Sequence, residues 1–443
     1  MTVRQLWAAL AAAVLVPLIA IPTPTPAAAT TAPAHRPVVF VHGFAGSGSQ
    51  FETQAKRLAT NGYPAEFIEA HEYDSTAIAT VLPQVWSALD ARITRLLTTT
   101  GADRVDLLGH SLGTFVIQGY LNSSPQRAAR VAHYVNLDGA QAAAPPGAVP
   151  TLAVWGEGDP TRTIPGALNT YFPHQSHTQT VTSPETFTEI YKFFHDGRPP
   201  HTTRILPAPT LLSGRAVLFP TNTGLTDARL EVYEVTPLTG HRHHPNPTQV
   251  LTLSPDGSFG PFPANPHTRY EFAIVFPSGH THHIYFQPFT RTDRLIRLLT
   301  SRPGEGLSAL MPTTPHHTNL TVNRNKEWWG DQPESGDTLL INGRNILNPA
   351  TAPRTKRVIG MFAFDHLADT QTNLTAPIPE FFAQPFITGM DVFIPTRPRV
   401  VSVLARPRAS NGLWENLSVP AWPSTTHRVS LNFNDYPRFQ FPN

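Results

Sequence analysis

The sequence predicts an α/β fold at its N-terminal end, a mostly parallel sheet covered by helices over residues 35–200, followed by a β-rich barrel or sandwich region. Two textures predict it. From residue 37 to 194 short apolar runs alternate with helical stretches, the pattern of a parallel sheet with crossover helices. After HDGRPP at 195–200 helical periodicity nearly vanishes, and RAVLFP, LEVYEV, YEFAIVF, HHIYFQPF and DVFIP recur between turns rich in proline and threonine. The length of 443 residues agrees, because it exceeds what one hydrophobic core usually organises.

In chain order, the strands of the first region are PVVFVHG, AEFIEA, RVDLLGH, HYVNLDG and TLAVWGEG. Helical readings fall between and after them, at 50–61, 77–100, 114–122 and 184–194. The β-rich region divides near residue 320, where HHTNLTVNRNKEWWG opens a new stretch: 204–320 reads as one β-rich domain, and 321–443 as a second or as a continuation of the same barrel. The 46 prolines fit turn-rich β structure, and the lack of a Gly-x-y period excludes collagen.

Ahead of all this, residues 1–29 read as a secretory signal peptide: an early Arg4, an apolar stretch from about Leu6 to Ile21, and small-residue cleavage points from 29 to 34. An uncleaved membrane anchor fits less well, since Pro17 breaks an apolar run already short of the roughly 20 residues a span needs. The expectation is a secreted protein. With no cysteine there is no disulfide framework, thiolate metal site, thiol nucleophile or lipoprotein anchor. Charged residues make up 14 % with a balance of +2, scattered rather than striped, so nucleic acid is not an expected partner.

The chemistry enters at DLLGHSLGTF, 106–115, where an apolar run meets Gly109-His110-Ser111-Leu112-Gly113 and passes into the helical pattern TFVIQGYL. A bare Gly-x-Ser-x-Gly is expected by chance roughly 0.1 times in such a chain, so its context matters more than the motif. Strand before and helix after make a nucleophile elbow, which exposes the hydroxyl of Ser111 and aims a helix N-terminus at the reacting centre. That is the arrangement of an α/β hydrolase. Serine is a weak nucleophile, so it needs a base, a group to orient the base, and donors for a developing oxyanion. The donors expected are the backbone N–H groups of Leu112, after the nucleophile, and Phe44, in the glycine-rich VVFVHGFAGSG loop. Walker and dinucleotide glycine spacings are not met there.

The fold's chain order, serine then acid then histidine, directs the search downstream. His177 in HQSHTQTVTSPETF precedes the last helix of the region and is the expected base; His174 is a nearby alternative, and His133 lies within a strand run. For the acid, Asp138 of NLDG and Asp159 of WGEGD both end strands, and both also suit a plain turn. Fold grammar alone favours Asp159.

HGFAGSGSQFETQAKRLATNGYPAEFIEAHEYD, GHSLGTF with YLNSSPQRAARVAHYVNLDG, and HTQTVTSPETF together resemble the secreted and thermophilic lipases typified by the archaeal long-chain lipases of Archaeoglobus. The resemblance continues through RAVLFPTNTG, FAFD and PFITGMDVFIP. It implies an α/β-hydrolase domain joined to a C-terminal β-barrel, with nucleophile Ser111, acid Asp138, base His177 and oxyanion donors Phe44 and Leu112. Asp159 stays as the alternative acid. Where those lipases carry a helical lid insertion, one helix at 77–100 fills the space here, so lid-dependent interfacial activation is not expected. Where they carry an Asp-rich, glycine-containing loop, FAFDHLADTQTN keeps only Asp365 and Asp369, too few for the about six to eight oxygen donors of a calcium site.

The expected function is therefore secreted serine carboxylic-ester hydrolysis, of acylglycerols or other fatty-acyl esters, through an acyl-enzyme and without metal or cofactor. The C-terminal region is expected to help at a lipid interface or to serve as a stabilising module. The His241–His244, His282-His283 and His316-His317 clusters lack paired ligand spacing and read as solvated turn histidines. Other readings stay open: a lidless esterase or polyester depolymerase, an acyltransferase, and a secreted binding module on an inactive hydrolase scaffold.

Overall fold

The structure, a computed structural model, describes residues 35–332 and 335–436. The expected signal peptide and its cleavage points lie outside the described residues. Six parallel strands form the N-terminal sheet in the order β2-β1-β3-β4-β5-β6: β1 (Val38–Val41), β2 (Ile68–His71), β3 (Val105–His110), β4 (Val131–Leu137), β5 (Thr151–Trp155) and β6 (Leu168–Tyr171). Helices α1 (Glu52–Thr60), α2 (Ile78–Thr100), α3 (Leu112–Asn122), the one-turn α4 (Pro125–Ala128) and α5 (Gln179–Thr182), and α6 (Pro184–Phe194) complete the region.

Period-two alternation explains why the central strands are apolar throughout. On β1, Val38 and Phe40 face a core with Phe51 and Leu58 of the α1 side and Phe187 and Ile190 of α6. Val39 and Val41 face the opposite core, with Leu89 and Ile93 of α2 and Ile117 and Tyr120 of α3. With helices on both faces, each of these side chains contributes about 1.5–3 kcal/mol of burial. The sixth strand, β6, was not read from the sequence: LNTY lies on the sheet edge, half-buried or exposed, so it carries no apolar alternation.

Beyond residue 200 an eight-stranded mixed sheet runs in the order Gln249–Thr252, Arg229–Val235, Arg269–Val275, Thr281–Phe286, His427–Asn432, Leu320–Trp328, Val358–Phe364 and Ile387–Asp391. The His427–Asn432 strand pairs in parallel with Thr281–Phe286 on one side and Leu320–Trp328 on the other, so one sheet continues across residue 320. Two cores lie against it, one around Leu212, Phe272 and Ile296, the other around Val322, Trp328, Met361 and Val429.

The strand pairing also corrects the reading of His282-His283 as solvated turn histidines. Both are buried on Thr281–Phe286, which has a neighbour on each edge, and alternation sends them to opposite faces. His282 reaches Thr300 and Ser430, while His283 bonds Glu271 at 2.6 Å and stacks on Trp422. His317 is buried as well, its Nε2 bonded to the carbonyl of Pro312 at 3.1 Å.

Buried charges join the β-rich region to the α/β region. Arg297 donates to Glu72 Oε1 at 2.6 Å, the same oxygen that accepts the N–H of Gly48 at 2.8 Å, and Lys56 of α1 pairs with Asp293 at 2.7 Å. Burial pushes the Glu72 carboxyl up, but the charges of Arg297 and His42 and the hydrogen bonds from Gly48 and Arg297 outweigh it, leaving the group at about 2. Arg297→Met should therefore strand a buried carboxylate and lower unfolding free energy by about 3 kcal/mol in urea titrations at pH 7. Because the folded value is depressed, this contribution is complete above the ordinary value near 4.5 and is lost as pH falls toward about 2. Acid titrations should show a shallower loss over that window in Arg297→Met than in the wild type.

Candidate active site

Ser111 stands between β3 and α3 with φ 52° and ψ −120°, a conformation that costs a side-chain-bearing residue of the order of 1–3 kcal/mol. Its N–H donates to the carbonyl of Leu137 at 3.1 Å, tying the turn to the end of β4. The flanking glycines are there because the chain has no room for a Cβ. At Gly113 a Cβ would lie 2.1 Å from the Val41 carbonyl oxygen, and at Gly109 it would lie 2.9 Å from the backbone of Gly113. Thus α3 leaves the sheet in direct backbone contact with β1. That contact brings the glycine-rich loop after β1 alongside Ser111: a Cβ on Gly43 would sit 3.0 Å from the Cβ of Ser111.

In that loop the N–H of Gly46 closes a turn onto the carbonyl of Gly43 at 3.1 Å, with Phe44 inside the turn. Leu112 opens α3, so its N–H is one of those that no helical carbonyl accepts. The two amides expected as oxyanion donors therefore belong to segments that meet at Ser111. Asn222, from the β-rich region, holds the loop from behind by donating to the carbonyl of Gly46 at 2.8 Å.

Asp138 follows β4 with φ 47°, and its Oδ2 accepts from His177 Nδ1 at 2.6 Å. Its Oδ1 accepts the N–H of Gly156 at 2.8 Å and Arg162 Nη1 at 2.7 Å. Burial opposes the charged form, yet the hydrogen bond and charge of His177, the Gly156 N–H and Arg162 hold the carboxyl down at about 2. His177 is buried, its carbonyl accepting from His110 Nε2 at 3.1 Å and from the Thr180 hydroxyl at 2.7 Å. Burial, and then the nearby His177, keep His110 itself well below the usual histidine range, so it acts as a neutral donor.

The structure does not bring Asp159 to His177. Its exposed carboxylate caps its own turn, accepting the N–H and hydroxyl of Thr161 at 2.8 and 2.7 Å. His174 is exposed, and His133 bonds Asp106 at 2.9 Å near the start of β3, away from the strand ends where the other residues gather. Asp365 accepts the N–H groups of Asp369 and Thr370, and among the described residues no group of three or more His, Asp or Glu is placed to hold a metal ion.

Sequence reasoning gave no role to Arg162, Asn222 or Phe386: Arg162 stands in no motif, and the other two lie in RAVLFPTNTG and PFITGMDVFIP, where nothing local marks the side chain that reaches the site. Phe386, at φ 65°, lays its ring parallel to that of His177 with centroids 6.2 Å apart. It also lines a cavity between the Ala45–Gln50 loop and the β-rich region, with Phe219, Leu299, Leu307 and Phe362. Two aromatic rings are exposed nearby in the chain's two site segments, Phe44 in the loop after β1 and Phe115 in the first turns of α3.

Three family models match the chain: Lipase (class 2) over residues 35–124, Lipase C-terminal domain over 209–303, and a further C-terminal-domain family over 306–437. Among solved structures, a CIB-like hydrolase from Thermoplasma acidophilum is 18 % identical, covering 35 % of this chain and 84 % of its own, with a TM-score of 0.27. Tomato methylketone synthase I is 10 % identical over 37 % of this chain and 99 % of its own, TM-score 0.30. Aspergillus fumigatus lipase B is 12 % identical over 38 % of this chain and 54 % of its own, TM-score 0.30. No curated protein matches.

The strain at position 111 has a measurable consequence. Ser111→Gly, which removes the Cβ from the positive-φ position, should stabilise the fold by about 1 kcal/mol relative to Ser111→Ala, read as a higher calorimetric midpoint. Equal midpoints for the two variants would mean that no strain is stored there.

Proposed function

We propose that this chain, whose family matches support a lipase of the α/β-hydrolase kind, is a secreted serine carboxylic-ester hydrolase working through an acyl-enzyme on Ser111. The observation that carries the reading is the 2.6 Å bond between Asp138 and His177 at the strand ends where the Ser111 turn also stands. In this reading the neutral imidazole of His177 takes the hydroxyl proton as Ser111 Oγ attacks the ester carbonyl. The tetrahedral oxyanion is received by the N–H groups of Phe44 and Leu112. His177 then gives the proton to the departing alcohol, leaving an acyl-serine, and repeats the cycle with water to release the acid. Asp138 keeps its negative charge throughout, holding Nδ1 protonated and stabilising the imidazolium.

The substrate of this reading is an acylglycerol or another fatty-acyl ester, with the acyl chain in the apolar cavity that Phe219, Leu299, Leu307, Phe362 and Phe386 line. A contribution of the C-terminal region at a lipid interface follows the same logic. Since α2 runs as one continuous 23-residue helix between β2 and β3, rates should rise smoothly with tributyrin concentration, with no jump at the solubility limit.

Hydrolysis of p-nitrophenyl esters from acetate to palmitate tests the assignment. Ser111→Ala should lower kcat by about 10⁴–10⁶-fold and Asp138→Asn by about 10⁴-fold, while Asp159→Asn should leave it within about twofold. No Ser111-dependent turnover of any ester would sink the hydrolase reading in favour of a binding module; activity on short chains alone would narrow it to an esterase. N-terminal sequencing of protein recovered from culture medium tests export, and a mature terminus outside the 29–34 window would count against the signal-peptide reading.

A further inference from the structure

We propose that Glu327 is a positioning residue for His177: a carboxylate of the C-terminal region that clamps both residues flanking the base and so sets where its imidazole stands. The ester-hydrolase reading is needed only to name His177 as the base. Glu327 is fully buried, its Oε1 accepting the N–H of Thr178 at 2.6 Å and its Oε2 accepting the hydroxyl of Ser176. Between those two residues, the carbonyl of His177 is already held by His110 and Thr180. The segment 176–178 is thus pinned on both sides, and its imidazole is left to meet Asp138.

The clamp itself is braced. Glu327 lies on Leu320–Trp328, where the pairing register with Val358–Phe364 shifts between Asn323 and Trp328, an irregularity of the sort that re-aims side chains. Behind the carboxylate, Arg408 Nη2 stands 4.0 Å from Oε2 and also reaches Gln179 Oε1 at 3.2 Å. Arg408 Nη1 donates to Asp337 Oδ2 at 2.9 Å, and Arg324 grips Asp337 with two bonds of 3.0 and 2.9 Å. Burial opposes the charge on Glu327, but Arg408 and the bonds from Ser176 and Thr178 keep its carboxyl below the usual range.

Two carboxylates and two guanidiniums sequestered in this way are an inefficient route to stability, because an apolar replacement of the same volume is often as stable. What they provide here is geometry. A fixed acceptor pair aimed at residues 176 and 178 does for the base what Asp138 does for its ring nitrogen, and misplacing a catalytic group by about 1 Å can cost as much as 10²-fold in rate.

The test compares wild type, Glu327→Gln and Ser176→Ala as full chains. It reads kcat and KM on a soluble p-nitrophenyl ester, the low-field proton resonance of the Asp138–His177 hydrogen bond, and folding by circular dichroism. Glu327→Gln should fold, lose about tenfold in kcat with KM within about twofold, and shift or broaden that resonance; Ser176→Ala should do the same to a smaller extent. Wild-type kcat and an unmoved resonance in the folded variants would overturn the proposal. If Glu327→Gln does not fold, Ser176→Ala decides alone. A wild type without esterase activity would count against the proposed function, and the resonance would still decide the clamp.

Discussion

The close backbone approach of α3 to β1 is the constraint on which the site depends. Gly113 lies so near the Val41 carbonyl that no side chain fits, and this one contact forces the turn at Ser111 into a positive-φ conformation while drawing the Gly43–Gly46 loop beside it. Strain at a functional turn persists only where its surroundings over-determine it. Here they do: the Ser111 N–H is held by Leu137, and the helix that follows is packed into the Tyr120–Leu89 core.

Around that turn, loops of the α/β region end on polar groups of the β-rich region. The loop after β1 is held by Asn222, the segment after β2 by Arg297 through Glu72, the loop after β5 by Arg354 through Glu157, and the His177 segment by Glu327. The β-rich region therefore acts as a brace for the strand-end loops and as a wall of the adjoining cavity. Loops that must present catalytic groups are intrinsically the least stable parts of such a fold, and buried charge pairs supply orientation that apolar packing cannot.

Much of this was legible in the sequence. Five of the six parallel strands and the long helices announce themselves because strands covered on both faces read as continuous apolar runs and helices as 3.6-residue periods. The elbow around Ser111 is readable for a different reason: glycine is demanded on both sides by a steric rule that leaves a fixed local signature. His177 is placed by chain order within that fold.

The acid was not settled by local pattern. Asp138 and Asp159 both end strands and both precede turns, so fold grammar preferred the one that the structure leaves in solvent capping Thr161, and only the family resemblance pointed to the other. β6 stayed hidden because an exposed edge strand has no apolar period, and His282 and His283 were read as solvated because nothing local reveals that a strand from the far end of the chain covers them. Glu327 was hidden for the same cause: its contacts with Ser176 and Thr178 join residues 151 and 149 positions apart in the chain. The sequence by itself determined five of the six N-terminal strands, the long helices, and the strained turn with the serine it presents, since those follow from local sterics and periodicity. Which carboxylate meets the imidazole, and which buried charge holds the imidazole's segment, were decided by tertiary structure alone, because hydrogen bonds between distant segments depend on packing that leaves no local pattern.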